Sequence, residues 1–113
     1  MHELSVALSI VKIAEGEAHK VHAKAIELIE LEIGNLAGIE FESLDFVWQI
    51  AVQGSLLENA VKKIIRIPGK AKCGDCDTVF KIENIYDSCP NCNSYLKGII
   101  EGKELRVKTI KVA

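Results

Sequence analysis

Apolar residues recur every three or four positions in two stretches of the chain, residues 4–19 and 42–54. This spacing places the apolar side chains on one face of a helix. The first face consists of Leu4, Leu8, Val11, Ala14 and Ala18, widened by Val6, Ile10 and Ile13, and the second of Leu44, Val47, Ile50 and Ala51. Ser43 is the expected N-cap of the second helix, and Gly54 is its expected C′ residue. The pattern predicts two helices that face a core.

A different period marks the stretch "IELEIG", in which apolar and acidic residues alternate. The apolar face consists of Ile29, Leu31 and Ile33, and the opposite, solvated face of Glu30 and Glu32. Alternation of this kind predicts a half-buried strand, ended here by Gly34-Asn35. Ile26 and Leu28 lie out of phase with it, which indicates a bulge or a shifted start.

Two later stretches also have the composition of strands. "AVKKIIRIP" is closed by Pro68, and "KELRVKTIKVA" places Leu105 and Val107 on one face. Together with the first strand they predict a small three-stranded sheet packed with two helices. The fold class expected from the pattern is therefore α/β in the mixed, α+β sense.

Four cysteines form two Cys-x-x-Cys pairs, "CGDC" and "CPNC", with 12 residues between them. They are Cys73, Cys76, Cys89 and Cys92. Each pair places two thiolates on one tight turn, and two such turns complete a tetrahedron around Zn²⁺. Two disulfides or a redox pair are the alternatives, and the spacing and a reducing compartment favour zinc over both. Because four thiolates leave no open coordination position, we expect a structural role for the metal.

The residues that follow the two pairs, Asp77 and Asn93, agree with this interpretation. Turns of this kind often need a left-handed residue, and Asn and Asp tolerate that conformation best after Gly.

The segment around the cysteines has little apolar content of its own. A unit shorter than ~40 residues usually needs a metal or disulfides to hold a fold. We therefore predict an α/β domain from residues 1–68 and 102–113, with a zinc-ribbon-like module at 69–101 inserted on hinges at Gly69 and Gly102. An inserted module makes exchange between protomers conceivable, so a monomer and a homodimer both remain open.

Composition narrows the classes of function. The 113 residues are 49% hydrophobic and 27% charged, with a net charge of −2, which is typical of a globular domain and unlike a protein that neutralises phosphates. Residues 69–103 carry five lysines and five acidic residues, so no basic patch for nucleic acid is expected there. Signal-peptide, membrane-helix, phosphate-loop and nucleophile motifs are all lacking, which predicts a cytoplasmic protein that is not an enzyme.

The opening residues "MHEL" are a second candidate metal site. The α-amine of Met1, the amide and imidazole nitrogens of His2 and the amide nitrogen of Glu3 can form fused chelate rings around Ni(II) or Cu(II), which favour square-planar nitrogen ligands. The first N–H groups of a helix lack intrahelical acceptors, so metal binding there breaks no helical hydrogen bond. From the residues alone, the simpler interpretation is that His2 occurs at this position by chance and binds no metal.

Other candidates have simpler explanations. His19 and His22 flank the end of the first helix, where cations are favourable, and this accounts for them more simply than a ligand pair does. Phe46 and Trp48 are expected to be core or interface aromatics.

These motifs together resemble the HypA/HybF family of hydrogenase nickel-incorporation proteins. The residues that carry the resemblance are "MHELS", "LEIGNLAGIEFESLDFVW", "CGDC" with "CPNC", and "GKELRVKTIKV", which cover nearly the whole chain in the order of the family. The resemblance implies a nickel metallochaperone with an α/β nickel-binding domain, here residues 1–68 and 102–113, and a four-cysteine zinc domain. It changes the interpretation of the opening residues.

By resemblance, His2 is the principal Ni(II) ligand, with Met1 contributing its α-amine and Glu3 its backbone, the Glu3 carboxylate being an additional candidate. The same resemblance implies Zn²⁺ as a structural ion and Ni²⁺ as cargo. It also implies two partners, a HypB-like GTPase and the precursor of the [NiFe]-hydrogenase large subunit, with urease served in some members. No nucleic acid or membrane partner is implied.

The chain departs from the family pattern at three positions. Asp77 and Asn93 stand where glycine is common, and Ala37 stands where serine is common. The alternative to the nickel role is a zinc-ribbon module that binds protein or nucleic acid.

Overall fold

The computed structural model describes residues 2–113, which form two helices and six strands. In chain order the elements are α1 (Glu3–Lys20), β1 (Ile26–Gly34), α2 (Phe41–Ala51), β2 (Val61–Ile67), β3 (Gly69–Cys73), β4 (Val79–Ile82), β5 (Lys97–Glu101) and β6 (Leu105–Val112). The strands form two three-stranded sheets, with the orders β2-β1-β6 and β4-β3-β5. The predicted fold class is therefore confirmed.

The described residues divide into two compact units. The first comprises the chain up to Glu32 together with Ile39–Ile65 and Arg106–Ala113. The second comprises Ile33–Gly38 and Arg66–Leu105. Each unit has a core of its own.

Helix α1 buries only part of the face that was predicted, since Ile10, Val11, Ala14 and Ala18 are buried as expected. Its buried face consists of Glu3, Ala7, Ile10, Val11, Ala14 and Ala18, whereas Leu4, Leu8 and Ile13 are exposed. Three of the buried residues are alanines. The prediction for Leu4, Leu8 and Ile13 was wrong because the buried face runs through positions 3, 7, 10, 14 and 18, which leaves these three residues at or beyond its edge.

Helix α2 is confirmed, but its ends and its face differ from the prediction. Glu40, not Ser43, is the N-cap, and its side chain accepts a hydrogen bond from the Glu42 backbone N–H at 3.0 Å. The C-cap is Val52, and Gly54 lies two residues further on with a φ of +73°. The buried residues are Leu44, Trp48 and Ala51, while Ile50 and Phe46 are exposed.

The sheet of the first unit has β1 at its centre, and all three of its strands were predicted. Ile29, Leu31 and Ile33 are fully buried, as the alternation indicated, and Ile26 is buried as well although it lies out of phase with them. Glu32 forms an ion pair with Arg106 of β6 at 2.6 Å. Leu105 is exposed at the start of β6.

The second unit contains a sheet that the sequence pattern did not reveal. Strand β3 pairs with β4 and with β5, both antiparallel. A small core lies against this sheet and includes Ala71, Phe80, Ile82 and two of the cysteines, with Leu36, Cys76 and Ile99 packed against it. Leu36 belongs to the segment Ile33–Gly38, which is distant in sequence from the cysteines.

Three glycines of the second unit allow close backbone contacts. A Cβ atom on Gly34 would lie 1.9 Å from the carbonyl oxygen of Gly102, and one on Gly69 would lie 2.4 Å from that of Ile82. Gly102 itself has a φ of +115°. Gly69 and Gly102 thus lie in tightly packed positions.

Among residues 2–113, neither helix is both long enough and apolar enough to cross a lipid bilayer.

Candidate functional site

The four cysteines of the second unit lie on two turns of the same geometry. In the first turn the Asp77 N–H donates to the carbonyl of Cys73 at 3.1 Å, and in the second the Asn93 N–H donates to that of Cys89 at 2.8 Å. Asp77 and Asn93 adopt left-handed φ values of 62° and 61°. The prediction that these two residues supply the left-handed positions is confirmed.

The two turns bring the four sulfur atoms together. All four Sγ atoms lie within 4.8 Å of one another, with Cys73 to Cys92 at 3.5 Å and Cys76 to Cys89 at 3.7 Å. A regular tetrahedron of four thiolates with bonds of about 2.3 Å has sulfur–sulfur edges of about 3.8 Å. The donor set and its spacing therefore fit a zinc ion.

Backbone N–H groups support the first sulfur of each turn. The Asp75 N–H lies 3.3 Å from Sγ of Cys73, and the Asn91 N–H lies 3.4 Å from Sγ of Cys89. Hydrogen bonds of this kind stabilise thiolates, which are the form that binds metal. They occupy corresponding places in the two turns.

The second sulfur of each turn has a different environment. The Thr78 hydroxyl at 3.1 Å and the Asn91 side-chain amide at 3.5 Å lower the pKa of the Cys76 thiol to about 6. At Cys92 the Ser94 backbone N–H acts to lower the pKa, but the hydrogen bond with Cys73, burial and the other sulfurs outweigh it and raise the pKa to about 12. Cys92 is also the exposed member of the four.

The start of α1 holds the other predicted metal site. His2 is the N-cap, and its carbonyl accepts the N–H of Val6 at 2.9 Å. The backbone N–H groups of His2 and Glu3 therefore precede the first helical donor, and no hydrogen bond within the helix depends on them. The Nδ1 atom of His2 is buried and has no hydrogen-bond partner within residues 2–113, although the side chain as a whole is 39% exposed. Met1, the third predicted ligand, lies outside the described residues.

Glu3 is buried beside His2, at 4% exposure. Its Oε2 lies 3.8 Å from Nε2 of His2 and accepts a hydrogen bond from the Glu40 backbone N–H at 3.2 Å. A groove of about 410 Å³ opens next to it, lined by Glu3, Leu4, Glu42, Ser43, Phe46 and Val47. The groove combines two carboxylates with apolar side chains.

The remaining histidines lie at the far end of α1. His19 is exposed in the last turn, and the exposed His22 adopts a left-handed φ of 57° just past the C-cap. The N–H of Ala23 donates to the carbonyl of Ala18 at 3.0 Å, as in a Schellman motif. Within the described part of the chain, neither histidine belongs to a group of three metal-ligating side chains.

Sequence reasoning missed the side chains that surround the ligands. Thr78 and Asn91 contact Cys76, and Glu40 fixes Glu3 through its backbone. Of these contacts, only that of Asn91 had a signal in the sequence, because a side-chain amide donor stands between the two cysteines of "CPNC". The contact between Glu3 and Glu40 depends on how the two helices pack.

The chain matches, over residues 1–112, the model of a family described as "HypA: Hydrogenase/urease nickel incorporation, metallochaperone, hypA". A "Hydrogenase maturation factor HypA" from Parabacteroides distasonis is 47% identical over 114 residues, covering 99% of this chain and 97% of that protein. One from Azotobacter chroococcum mcd 1 is 41% identical, covering 99% of both chains.

Solved structures show the same similarity. The solution structure of "the Ni metallochaperone HypA from Helicobacter pylori" superposes with a TM-score of 0.71 at 28% identity, covering 99% of this chain and 97% of that one. A second solution structure, of a "HypA protein", gives a TM-score of 0.72 at 27% identity, covering 100% and 97%.

Proposed function

Since this chain belongs to the HypA family of nickel-incorporation metallochaperones for hydrogenase maturation, we propose that it binds Ni(II) at the start of α1 and delivers it to the [NiFe]-hydrogenase large subunit precursor. The family resemblance noted from the sequence is thereby confirmed. The single observation that supports the nickel site best is the buried Nδ1 of His2, a nitrogen donor without a partner among the described residues. A buried polar atom normally has a partner, so an atom without one is a candidate ligand.

The proposed ligands are nitrogen atoms of the chain start. Nδ1 of His2 and the amide nitrogen of the same residue can close one chelate ring, and the amide of Glu3 and the α-amine of Met1 complete a square-planar set. Because the Glu3 carboxylate already accepts the N–H of Glu40, we infer that Glu3 contributes through its backbone nitrogen. Amide ligands bind metal only after losing their protons, so the site should release nickel as the pH falls.

For the four cysteines we propose zinc. Cys73, Cys76, Cys89 and Cys92 would hold it, and the ion would stabilise the second unit without taking part in chemistry, since four thiolates leave no position for a substrate. We infer metal transfer, not catalysis, as the activity of the protein. We propose the reducing cytoplasm as the place where the protein acts, since four cysteines that bind zinc must be kept from forming disulfides.

A HypB-like GTPase is the proposed partner in delivery, and urease is a second proposed recipient of the nickel. Exposed apolar side chains beside the proposed nickel site support a protein contact there. Leu4 and Leu8 of α1 are 40% and 50% exposed, and Phe46 of α2 is 72% exposed. Large apolar residues exposed next to one another mark candidate interaction surfaces.

Titration calorimetry of Ni(II) into three zinc-loaded proteins tests the proposal. We expect the native chain to bind one equivalent, His2→Ala to lose stoichiometric binding, and a chain extended before Met1 to bind more weakly because its amine is in a peptide bond. Equal binding by all three would contradict the proposed site and direct attention to His19 and His22.

A further inference from the structure

The two cysteine turns differ in the residue that stands between their paired cysteines, two positions after the first. This residue is Asp75 in the first turn and Asn91 in the second, and each donates its backbone N–H to its own first cysteine. Their side chains take different paths. Asn91 reaches across to Sγ of Cys76 at 3.5 Å, whereas the carboxylate of Asp75 accepts the hydroxyl of Ser94.

Only one of these two side chains can support a thiolate. The Asn91 amide is a hydrogen-bond donor, and a donor stabilises the negative sulfur of Cys76. A carboxylate at the same place would donate nothing and would repel the sulfur. We propose that Asn91 is a positioning residue of the metal centre, which holds Cys76 of one turn from the other turn.

A comparison of Cys76 with Cys92 indicates the order in which the sulfurs leave the metal. Cys92 is exposed, and within residues 2–113 its sulfur contacts Cys73 and the backbone N–H of Ser94, not a side-chain amide or hydroxyl. Cys76 is half-buried and has two such contacts, from Thr78 and Asn91. Cys92 is therefore the ligand that dissociates first when the centre opens, and Cys76 is held longer because Asn91 keeps it in place.

Variants at the two corresponding positions test the role of Asn91. Asn91→Asp replaces the donor with a carboxylate, and Asn91→Ala removes it. Asp75→Asn is the matched control, because an amide oxygen can still accept the hydroxyl of Ser94. The double variant Asn91→Asp with Asp75→Asn restores the native net charge and so separates the position of the carboxylate from its overall charge.

The measurements are made on the full chain loaded with zinc. Transfer of zinc to a chromophoric chelator gives the affinity, and we expect Asn91→Asp and the double variant to bind about 10–100-fold more weakly than the native chain, the loss typical of outer-shell changes. Asn91→Ala should show a smaller loss, and Asp75→Asn none. The thiolate-to-metal absorption of the Co(II)-substituted proteins should shift only in the Asn91 variants.

Alkylation with iodoacetamide followed by peptide mapping gives the order in which the sulfurs dissociate. In this reaction the sulfur forms a bond to carbon and iodide leaves. We expect Cys92 to react first in the native protein and Cys76 to gain reactivity in Asn91→Asp. If Asn91→Asp does not fold, Asn91→Ala is judged by the same measurements.

This inference depends on the proposed assignment of zinc, and its failure is distinguishable from failure of that assignment. A native protein that binds no zinc would overturn the zinc proposal itself. Zinc binding and alkylation order that are the same in the native, Asn91→Asp and Asp75→Asn proteins would overturn only the role of Asn91.

Discussion

The carboxylate of Glu3 accepts the backbone N–H of Glu40 at 3.2 Å, which joins the first turn of α1 to the N-cap of α2. The residue next to the proposed nickel ligand thus also fastens the two helices. Glu3 therefore has two possible roles. Its carboxylate is either a nickel ligand or a hydrogen-bond acceptor that holds α1 against α2.

Glu3→Gln and Glu3→Ala distinguish these roles. Glutamine keeps an oxygen that can accept the N–H of Glu40, whereas alanine leaves that N–H without this acceptor. We expect Glu3→Ala to lower the melting temperature and to weaken nickel binding less than His2→Ala does. Glu3→Gln should recover most of both properties in thermal unfolding and Ni(II) titration. Loss of nickel binding in Glu3→Gln with an unchanged melting temperature would instead indicate a carboxylate ligand.

Removal of the proposed zinc should unfold the second unit. Structural zinc contributes about 10–16 kcal/mol of apparent binding free energy near neutral pH, and the small core around Phe80 and Ile82 cannot replace it. We expect Cys73→Ala and Cys89→Ala to lose the dispersed amide resonances of β3, β4 and β5 while those of α1 and α2 partly persist. Metal analysis of the gently purified native protein is the check, and free thiols without zinc would contradict this prediction.

His22 offers a test of backbone strain. A non-glycine residue in the left-handed region is strained by about 1–2 kcal/mol. Replacing it with glycine removes this strain but makes the unfolded chain more flexible, which offsets part of the gain in stability. We therefore expect His22→Gly to raise the free energy of unfolding by about 0.5–1 kcal/mol. His19→Gly, one turn earlier and inside the helix, should lower it by a similar amount. Urea denaturation measures both, and nickel binding should be unchanged in each.

Two glycines with opposite surroundings give a matched pair. Gly16 lies inside α1, and apart from the helix backbone around it no atom lies within 4 Å of the place that an added Cβ would take, so Gly16→Ala should stabilise the protein by about 1 kcal/mol through helix propensity. In Gly34→Ala the new methyl group would meet the carbonyl of Gly102, and overpacking of this kind costs about 1–3 kcal/mol or more. Thermal unfolding of the two variants should move in opposite directions. A neutral Gly34→Ala would mean that the backbone yields at this contact.

Asp87 gives a prediction about pH. Hydrogen bonds from the backbone N–H groups of Glu83 and Asn84 hold the pKa of its carboxyl below the ordinary value. A lowered pKa in the folded state contributes stability above the unfolded pKa of about 3.9, and this contribution is lost as the pH falls through the lowered value. We expect Asp87→Asn to speed amide exchange at Glu83 and Asn84, by a factor that is the same at pH 4 as at pH 7. A carboxyl with the ordinary pKa of about 3.9 would be nearly half protonated at pH 4, so a factor that falls between pH 7 and pH 4 would show that the pKa is not lowered.

Hydrophobic periodicity predicted both helices and the three strands of the first unit, but not the details of their packing. Leu4 and Leu8 have stronger apolar character than Ala7, yet Ala7 is buried and both leucines are exposed. Ser43 has the better N-cap propensity, yet the N-cap lies three residues earlier, at Glu40, whose side chain accepts the N–H of Glu42 and whose own N–H donates to Glu3. Propensity acts locally, and these positions are decided by tertiary contacts.

At the cysteine cluster too, the local features could be predicted from the sequence and the surrounding structure could not. The spacing of the two Cys-x-x-Cys pairs predicted that four sulfurs come together, and Asp77 and Asn93 adopt the expected backbone. The strands around the sulfurs were not predicted, because β3, β4 and β5 are only four or five residues long, and the alternating burial of β3 and β4 involves few large apolar side chains. The nickel ligands remain a prediction, and Met1 lies outside the described residues.

The burial of Leu36 in the core of the second unit has a consequence for synthesis on the ribosome. Leu36 leaves the ribosome early, whereas Ile99, which packs against the same core, follows about sixty residues later. At about 5–20 residues per second, the nascent chain carries Leu36 without its partners for several seconds. The second cysteine pair also emerges within this interval, a few residues before Ile99. For the proposed zinc centre, the supply of metal during translation then influences how long Leu36 stays exposed to non-native contacts.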